Sequence, residues 1–334
     1  MTELPAAPSP PRTGPQPVPL VTVGIPFYNA RETLADAVRS VFAQTLTDWE
    51  LVLVDDGSTD TSLEIARSVA DPRVHVVSDG RNLRLAARLN QIVALARAEF
   101  VARMDADDLM RPDRLAMQAE LLARNPSVDV VGTGMYILDG DGRPVAKRLP
   151  STVPPSARQL LTGTGLMHAT VMGRTDWFRR NPYDPACPPV YPLAEDFELW
   201  CRTSGFSRFA QLPDCYYYCT EHVSFSLAKY ATASRSVARA QWRYGPRLLG
   251  RLPSSVLCAR QLIKIPVYAA AVALRQHDRL IARRSVALAP AEVEQVAADV
   301  TRIRATLLPL HHDTAASPAA RRPRSAPVGH DGLV

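Results

Sequence analysis

Cysteine is scarce in this chain: five residues in 334, at Cys187, Cys201, Cys215, Cys219 and Cys258. They are too few and too scattered for a disulfide framework. Cys215 and Cys219 are four apart, but no second Cys or His pair at zinc spacing accompanies them. Buried thiols in a reducing compartment are the expectation. Glycine-rich phosphate loops are missing too. Neither G-x-x-x-x-G-K-[ST] nor G-x-G-x-x-G occurs, and Gly163-Thr164-Gly165 lacks the third glycine, which excludes a P-loop or dinucleotide fold. The amino terminus has no apolar h-region, so no secretory signal is expected. No apolar run reaches the roughly 18 residues of a spanning helix. The longest, Ile265 to Leu274, contains Pro266. The expectation is a protein that is not integral to a membrane, although it can lie on one.

Proline is plentiful, above all at the start, where seven of the first 19 residues are Pro. Such a segment cannot nucleate a helix or a core, so residues 1–19 are expected to be a disordered tail, and 313–334 likewise. The rest is ordinary for a globular protein, with 46% hydrophobic and 22% charged residues. The formal charge of +6 is unevenly spread. Residues 227–285 hold twelve basic side chains and one acid, Asp278, a local charge of +11, which leaves −5 for the remainder. Arg235, Arg239 and Arg243 repeat every fourth residue on one helical face, and Gly245-Pro246 is expected to break that helix. With Val267, Val272, Leu274 and Leu280 interleaved nearby, two readings are open: an interfacial helix on anionic lipid, or a solvated cap over the catalytic domain. No recognition motif accompanies the charge, so nucleic acid is not an expected partner.

Between the tails, strand-length apolar runs alternate with helical patterns. Leu20 to Ile25, Glu50 to Val54, Val74 to Val77 and Phe100 to Met104 read as strands. Leu34 to Phe42, Thr61 to Ala70, Leu85 to Ala96 and Pro112 to Arg124 read as helices, the last with Pro at its first position. Repeated β-then-α units predict an α/β domain with a mostly parallel sheet, followed by C-terminal helices. The expected division is 20–132 for the donor-binding half, 133–226 for the acceptor half and 227–312 for a basic helical region. Ligands of such sheets bind beyond the carboxyl ends of the strands. Tyr28-Asn29, Asp55-Asp56 and Asp105-Ala106-Asp107-Asp108 each follow a predicted strand directly. Clustered carboxylates repel one another unless a cation is present, and hard oxygen ligands suit Mg²⁺ or Mn²⁺. The plainer alternative is a solvated acidic turn before a helix.

The motifs then resemble a known family. Ile25-Pro26-Phe27-Tyr28-Asn29-Ala30, Gln44-Thr45 and Val54-Asp55-Asp56-Gly57-Ser58-Thr59-Asp60 are similar to the opening of family 2 glycosyltransferases. Phe100 to Asp108, with Pro112-Asp113-Arg114-Leu115, resembles that family's metal-binding stretch. His168 to Met172 and Ala194-Glu195-Asp196-Phe197-Glu198-Leu199-Trp200 resemble its acceptor-side motifs. The resemblance implies a GT-A fold and inverting, single-displacement transfer of a sugar from a nucleoside diphosphate to an acceptor hydroxyl. It implies that Pro26, Phe27 and Tyr28 line the nucleobase pocket and that Asp56 accepts from the base. Asp105, with Ala106 beside it, would face the ribose and the metal. Asp107 would ligate a divalent metal, Mg or Mn. Asp196 would be the general base.

Around these, Glu195 and His168 belong to the expected rim of the site, although Glu195 and Asp196 also suit a helix N-terminus. Arg88 is expected either to reach the donor or to be a solvated helix arginine. Two departures stand out. Arg84 occupies a position where the family usually has glycine. A Tyr-Arg-x-His stretch common in relatives is replaced by Tyr216-Tyr217-Tyr218-Cys219-Thr220-Glu221-His222, with His222 the expected stand-in near the diphosphate. A cytoplasmic location, peripheral on the inner membrane face, fits this picture. The competing functions are a sugar-phosphate nucleotidyltransferase, which needs a glycine-rich Arg-containing loop after the first strand, and a nucleotide-sugar-binding protein without transfer activity, which has no need of Asp107 and Asp196.

Overall fold

The apolar runs at 20–25, 50–54, 74–77 and 100–104 become strands β1 (Val21–Phe27), β2 (Trp49–Asp55), β3 (Val74–Ser78) and β4 (Phe100–Arg103). Helices α1 (Leu34–Phe42), α2 (Ser62–Ser68) and α3 (Arg84–Leu95) connect them. All are seen in a computed structural model that describes residues 18–150, 155–163, 165–184, 193–221, 226–274 and 285–311. The four strands lie parallel in the order β3-β2-β1-β4. Their unbroken hydrophobicity has a simple cause, since both faces of the sheet are covered. Leu51 and Leu53 pack on the face shared with α1, while Val52 and Val54 pack with Leu89, Ile92 and Val93 of α3 on the other. Pro26 does not end β1. Pairing with β4 stops at Gly24 and Arg103, so the missing Pro26 N–H would have pointed past the last pair.

Beyond β4 the sheet turns mixed. Strand β5 (Leu109–Met110) is followed by α4 (Arg114–Arg124), the hairpin β6 (Val130–Leu138) and β7 (Pro144–Arg148), α5 (Ala157–Thr162), a 3₁₀ turn at His168–Thr170, β8 (Met172–Arg174), α6 (Thr175–Arg180), α7 (Glu195–Thr203) and the long β9 (Phe209–Thr220). The order continues β4-β8-β6-β9-β5. Strand β8 is antiparallel to both its neighbours, and β6 runs parallel to β9. The long pairings are the parallel ones and the antiparallel ones are short. Pro112 is not the first residue of α4, as expected, but lies before its N-cap Asp113; the Pro112 carbonyl instead accepts from Thr45 N at 2.7 Å.

The C-terminal region corrects two expectations. Gly245-Pro246 does not break the first basic helix, because α8 runs from Leu227 to Leu249 with Pro246 inside it. Nor does Pro266 interrupt the second, α9 (Arg251–Ala273), which at 23 residues is long and apolar enough on average to cross a membrane by length and composition. The two helices form an antiparallel hairpin. Tyr230 stacks on Tyr268 at 4.1 Å, and a side chain on Gly245 would meet Ser254 at 2.5 Å, so glycine lets the helices approach near the turn. Helix α10 (Pro290–Arg304) goes elsewhere. Its Val296, Val300 and Ile303 pack with Leu109, Leu138 and Tyr218. The chain after it is tied to α2, since Ala70 N donates to the Pro309 carbonyl and His311 N to that of Ser68.

Candidate active site

The first wall of the site is zipped together by side-chain to backbone hydrogen bonds between the loops after β1 and β2. Asn29 N donates to Ser58 Oγ, Ala30 N to Ser62 Oγ at 2.8 Å, and Thr59 N to Asn29 Oδ1 at 2.8 Å. Short polar side chains favour this local bonding over regular structure. Gly57, at φ +77°, is required by more than its backbone angle, because a Cβ there would lie 2.9 Å from the Arg81 main chain. The result is a fixed ledge that presents Pro26, buried Phe27 and half-exposed Tyr28.

That ledge faces the loop after β4 across a cavity of about 570 Å³ lined by Pro26, Phe27, Tyr28, Asp105, Ala106 and Asp107, among others. Carboxylate oxygens of Asp105, Asp107 and Asp108 all lie within 4.8 Å of one another. The second wall of the cluster is β9. Asp105 N donates to the hydroxyl of fully buried Tyr217 at 3.1 Å, and Thr220 N donates to Asp108 Oδ1 at 2.9 Å. Burial, with the charges of Asp105 and Asp107, pushes the Asp108 carboxyl up to about 7. Three carboxylates that offer hard oxygen donors in one place fit a divalent metal. Asp107 is the exposed member, Asp105 partly buried and Asp108 buried, so Asp107 and Asp105 are the more accessible carboxylates.

The acceptor-side residues assemble around a second cleft of about 810 Å³, lined by His168, Asp196, Phe197, Arg148, Tyr230 and Lys264 among others, and so walled in part by α8 and α9. Asp196 is the second residue of α7. Desolvation raises its pKa, opposed by the Phe197 amide and the positive charge of Arg103. Glu195 is raised as well, by burial and then by Asp196. The His168 ring bonds Tyr183 Oη through Nε2 at 2.8 Å and sits edge-on to Trp200; burial and Arg103 hold its pKa well below the ordinary value. The imidazole is therefore neutral. Arg103 joins the two halves: its Nη2 donates to Asp105 Oδ1 at 2.6 Å, and its charge acts on Asp196 and His168.

Two expected residues, Arg88 and Asp56, have partners that the sequence did not suggest. Arg88 is neither solvated nor aimed at a donor: it is fully buried and binds Asp56 Oδ1 at 2.9 Å, Asp79 Oδ1 at 2.6 Å, Gln91 and the Arg81 carbonyl. Asp56 also accepts from Leu83 N and Arg84 N at 2.7 and 3.1 Å, so most of its capacity is spent on holding that turn. Arg84 itself takes φ +72°, the left-handed conformation for which glycine is favoured, and that accounts for the departure noted in the sequence. His222 lies outside the described residues. Sequence reasoning missed Arg103, Tyr217 and Tyr183. Only the run Tyr216-Tyr217-Tyr218 gave a signal, and nothing in it said which ring faces the aspartates.

Comparison with known proteins bears on the family and the fold. The model of glycosyl transferase family 2 matches residues 22–183. EpsE of Bacillus subtilis, assigned to the glycosyltransferases, is 36% identical over 187 residues, which cover 55% of this chain and 66% of that one. TuaG of the same organism, assigned to teichuronic acid biosynthesis, is 29% identical over 67% of this chain and 84% of its own. Among solved structures, Staphylococcus aureus TarS in complex with UDP-GlcNAc superposes with a TM-score of 0.53 at 21% identity, covering 73% of this chain and 71% of that one. A Pyrobaculum calidifontis mannosyltransferase with GDP-Man and Mn²⁺ gives 0.53 at 18% identity, over 86% of each chain. The fold is GT-A. This chain belongs to glycosyltransferase family 2.

Proposed function

We propose that the protein moves a sugar from a nucleoside-diphosphate donor, held in the cavity between Tyr28 and Asp107, to an acceptor hydroxyl presented in the cleft at Asp196. The observation that carries the reading is Arg103, one buried guanidinium bonded to the metal-side Asp105 and acting electrostatically on the base-side Asp196. Two cavities sharing one cation suit two substrates whose reacting atoms must meet.

In this reading Pro26, Phe27 and Tyr28 receive the nucleobase, and Asp56 keeps one Oδ2 direction for it. Asp105 and Asp107 hold a divalent metal, Mg or Mn; bound there, it would supply positive charge to the leaving diphosphate. Asp196 takes the proton of the acceptor hydroxyl. The oxygen attacks the anomeric carbon opposite the departing diphosphate, so configuration inverts. A carboxylate with a raised pKa is a better base than an ordinary aspartate while it remains ionised near neutral pH. Neutral His168 and Tyr183 orient the acceptor, and Glu195 sits beside the base.

UDP- and GDP-sugars are the first donors to try, because the related folds were solved with them. Acceptors within reach of the reading are a polysaccharide, a lipid-linked sugar or a natural-product intermediate. The hairpin of α8 and α9 supports peripheral contact with anionic membrane at a cytoplasmic face. Residues 227–274 carry eight basic side chains and no acid. Helix α9 and its end leave Leu252, Ile263 and Leu274 exposed at 77%, 60% and 68%. Co-sedimentation with phosphatidylglycerol vesicles tests this: Arg235, Arg239 and Arg243 all replaced by Ala should lose binding, and unchanged binding removes α8 from the contact. The transferase reading is tested by nucleoside-diphosphate release from a donor panel. Wild type should turn over while Asp107→Ala and Asp196→Asn lose activity; full activity in both variants sinks the mechanism.

A further inference from the structure

Helix α10 puts one residue into the donor cavity. Arg304, its last residue, lines the wall beside Glu32, Asp36, Asp105 and Asp107, and it is the only basic side chain among the described residues that do so. The helix is clamped, not loosely appended. The buried trio Val296, Val300 and Ile303 holds it to β5, β6 and β9, Tyr218 Oη donates to Asp299 at 2.8 Å, and Lys147 pairs with Glu292 at 2.5 Å. On its far side the β6–β7 turn comes so close that a Cβ on Gly142 would lie 2.6 Å from Arg304 Nη2. Arg304 lies outside residues 22–183, where the family model matches.

Its present partner is weak. Arg304 Nε lies 3.2 Å from Asp36 Oδ2, with the arginine side chain 47% exposed, and an exposed pair of this kind contributes little. Asp36 also has a second cation, Arg39 Nη1 at 2.6 Å, so it is not left uncompensated if Arg304 turns away. A guanidinium that can leave its carboxylate at small cost, in a cavity whose other charged lining residues are acids, is suited to a planar, bidentate contact with phosphate oxygens. The Tyr216 to His222 stretch carries no arginine for that task.

We propose that Arg304 is a donor-binding residue that engages the diphosphate of the nucleotide sugar, supplied by a helix outside the catalytic core. The proposal rests on the transferase reading above and is separable from it. The test is titration calorimetry of the full chain with UDP, UMP and uridine, and with GDP, GMP and guanosine, in the presence of Mn²⁺. Arg304→Ala should weaken binding of the preferred diphosphate about tenfold or more, weaken the monophosphate less and leave the nucleoside unchanged. Arg304→Lys should recover part of the loss, which a purely structural role would not require, and melting temperatures show whether α10 stays docked. Equal diphosphate affinity in wild type and Arg304→Ala overturns the proposal while leaving the transferase reading intact. So does an equal loss for diphosphate and nucleoside. A wild type that binds neither diphosphate overturns both.

Discussion

The donor cavity and the acceptor cleft both depend on carboxylates, but they treat them in opposite ways. On the donor side three aspartates are crowded within one loop, and the most buried, Asp108, is pushed up to about 7 by burial and by its neighbours' charge. Arg103 offsets part of that charge through Asp105, and a bound divalent cation would offset more of it. On the acceptor side Asp196 feels the positive charge of Arg103, and desolvation is the main cause of its raised pKa. In the proposed reading the first arrangement binds positive charge and the second accepts a proton. Carboxylate chemistry is set here by burial and neighbouring charge, not by residue type.

The largest expected effect separates these roles. Asp107→Ala should abolish metal-dependent strengthening of nucleoside-diphosphate binding and reduce turnover by about a hundredfold or more. Asp196→Asn should leave that binding intact and reduce turnover by about a hundredfold to ten-thousandfold, the range of a lost general base. Calorimetry on both proteins, with donor-release assays beside it, reads the split. Loss of nucleotide binding in Asp196→Asn would erase the distinction between the two sides.

A second effect concerns stability. Arg88 is fully buried, and its guanidinium neutralises Asp56 and Asp79, so Arg88→Met leaves the Asp56 carboxylate with its strongest partner gone. The expected cost is about 3 kcal/mol, the lower end of the range for breaking a buried pair. Urea unfolding measures it, and a change below about 1 kcal/mol would mean that the backbone donors Leu83 N and Arg84 N suffice. Nothing comparable is expected from removing Arg304, whose pair is exposed.

How much of this the sequence disclosed follows the same line between the two sides. Strands β1 to β4 and helices α1 to α3 were readable because their periodicity is local and both faces are buried. The donor loops were readable because Tyr28-Asn29, Asp56-Gly57-Ser58 and Asp105 to Asp108 each come just after a strand in the sequence itself. Long-range pairings left no local signature. Tyr217 reaches Asp105 across 112 residues, and Arg304 meets Asp36 across 268. Arg88 misled for a related reason, since a helix arginine looks solvated until its partners, nine and thirty-two residues away, fold over it. Pro246 was read as a break, yet α8 continues through it, as α9 does through Pro266.

The smallest expected effect is a pH shift, and it tests the link between the two sides. Asp196 must be ionised to accept a proton, so kcat/KM should fall as the pH drops through its folded pKa, which burial places above the ordinary aspartate value. The positive charge of Arg103 opposes that rise. Replacing it in Arg103→Gln removes a charge that favours the ionised form, so the acidic limb should move to higher pH, by up to about one unit. The His168 pKa moves in the same direction. Its neutral form is favoured partly by the same arginine, so its pKa should also rise in the variant, keeping more of it protonated at a given pH. Asp196 alone produces a single-proton acidic limb; added protonation of His168 would steepen it. An acidic limb unmoved by Arg103→Gln would show that the arginine serves Asp105 only, and that the two cavities do not share their charge.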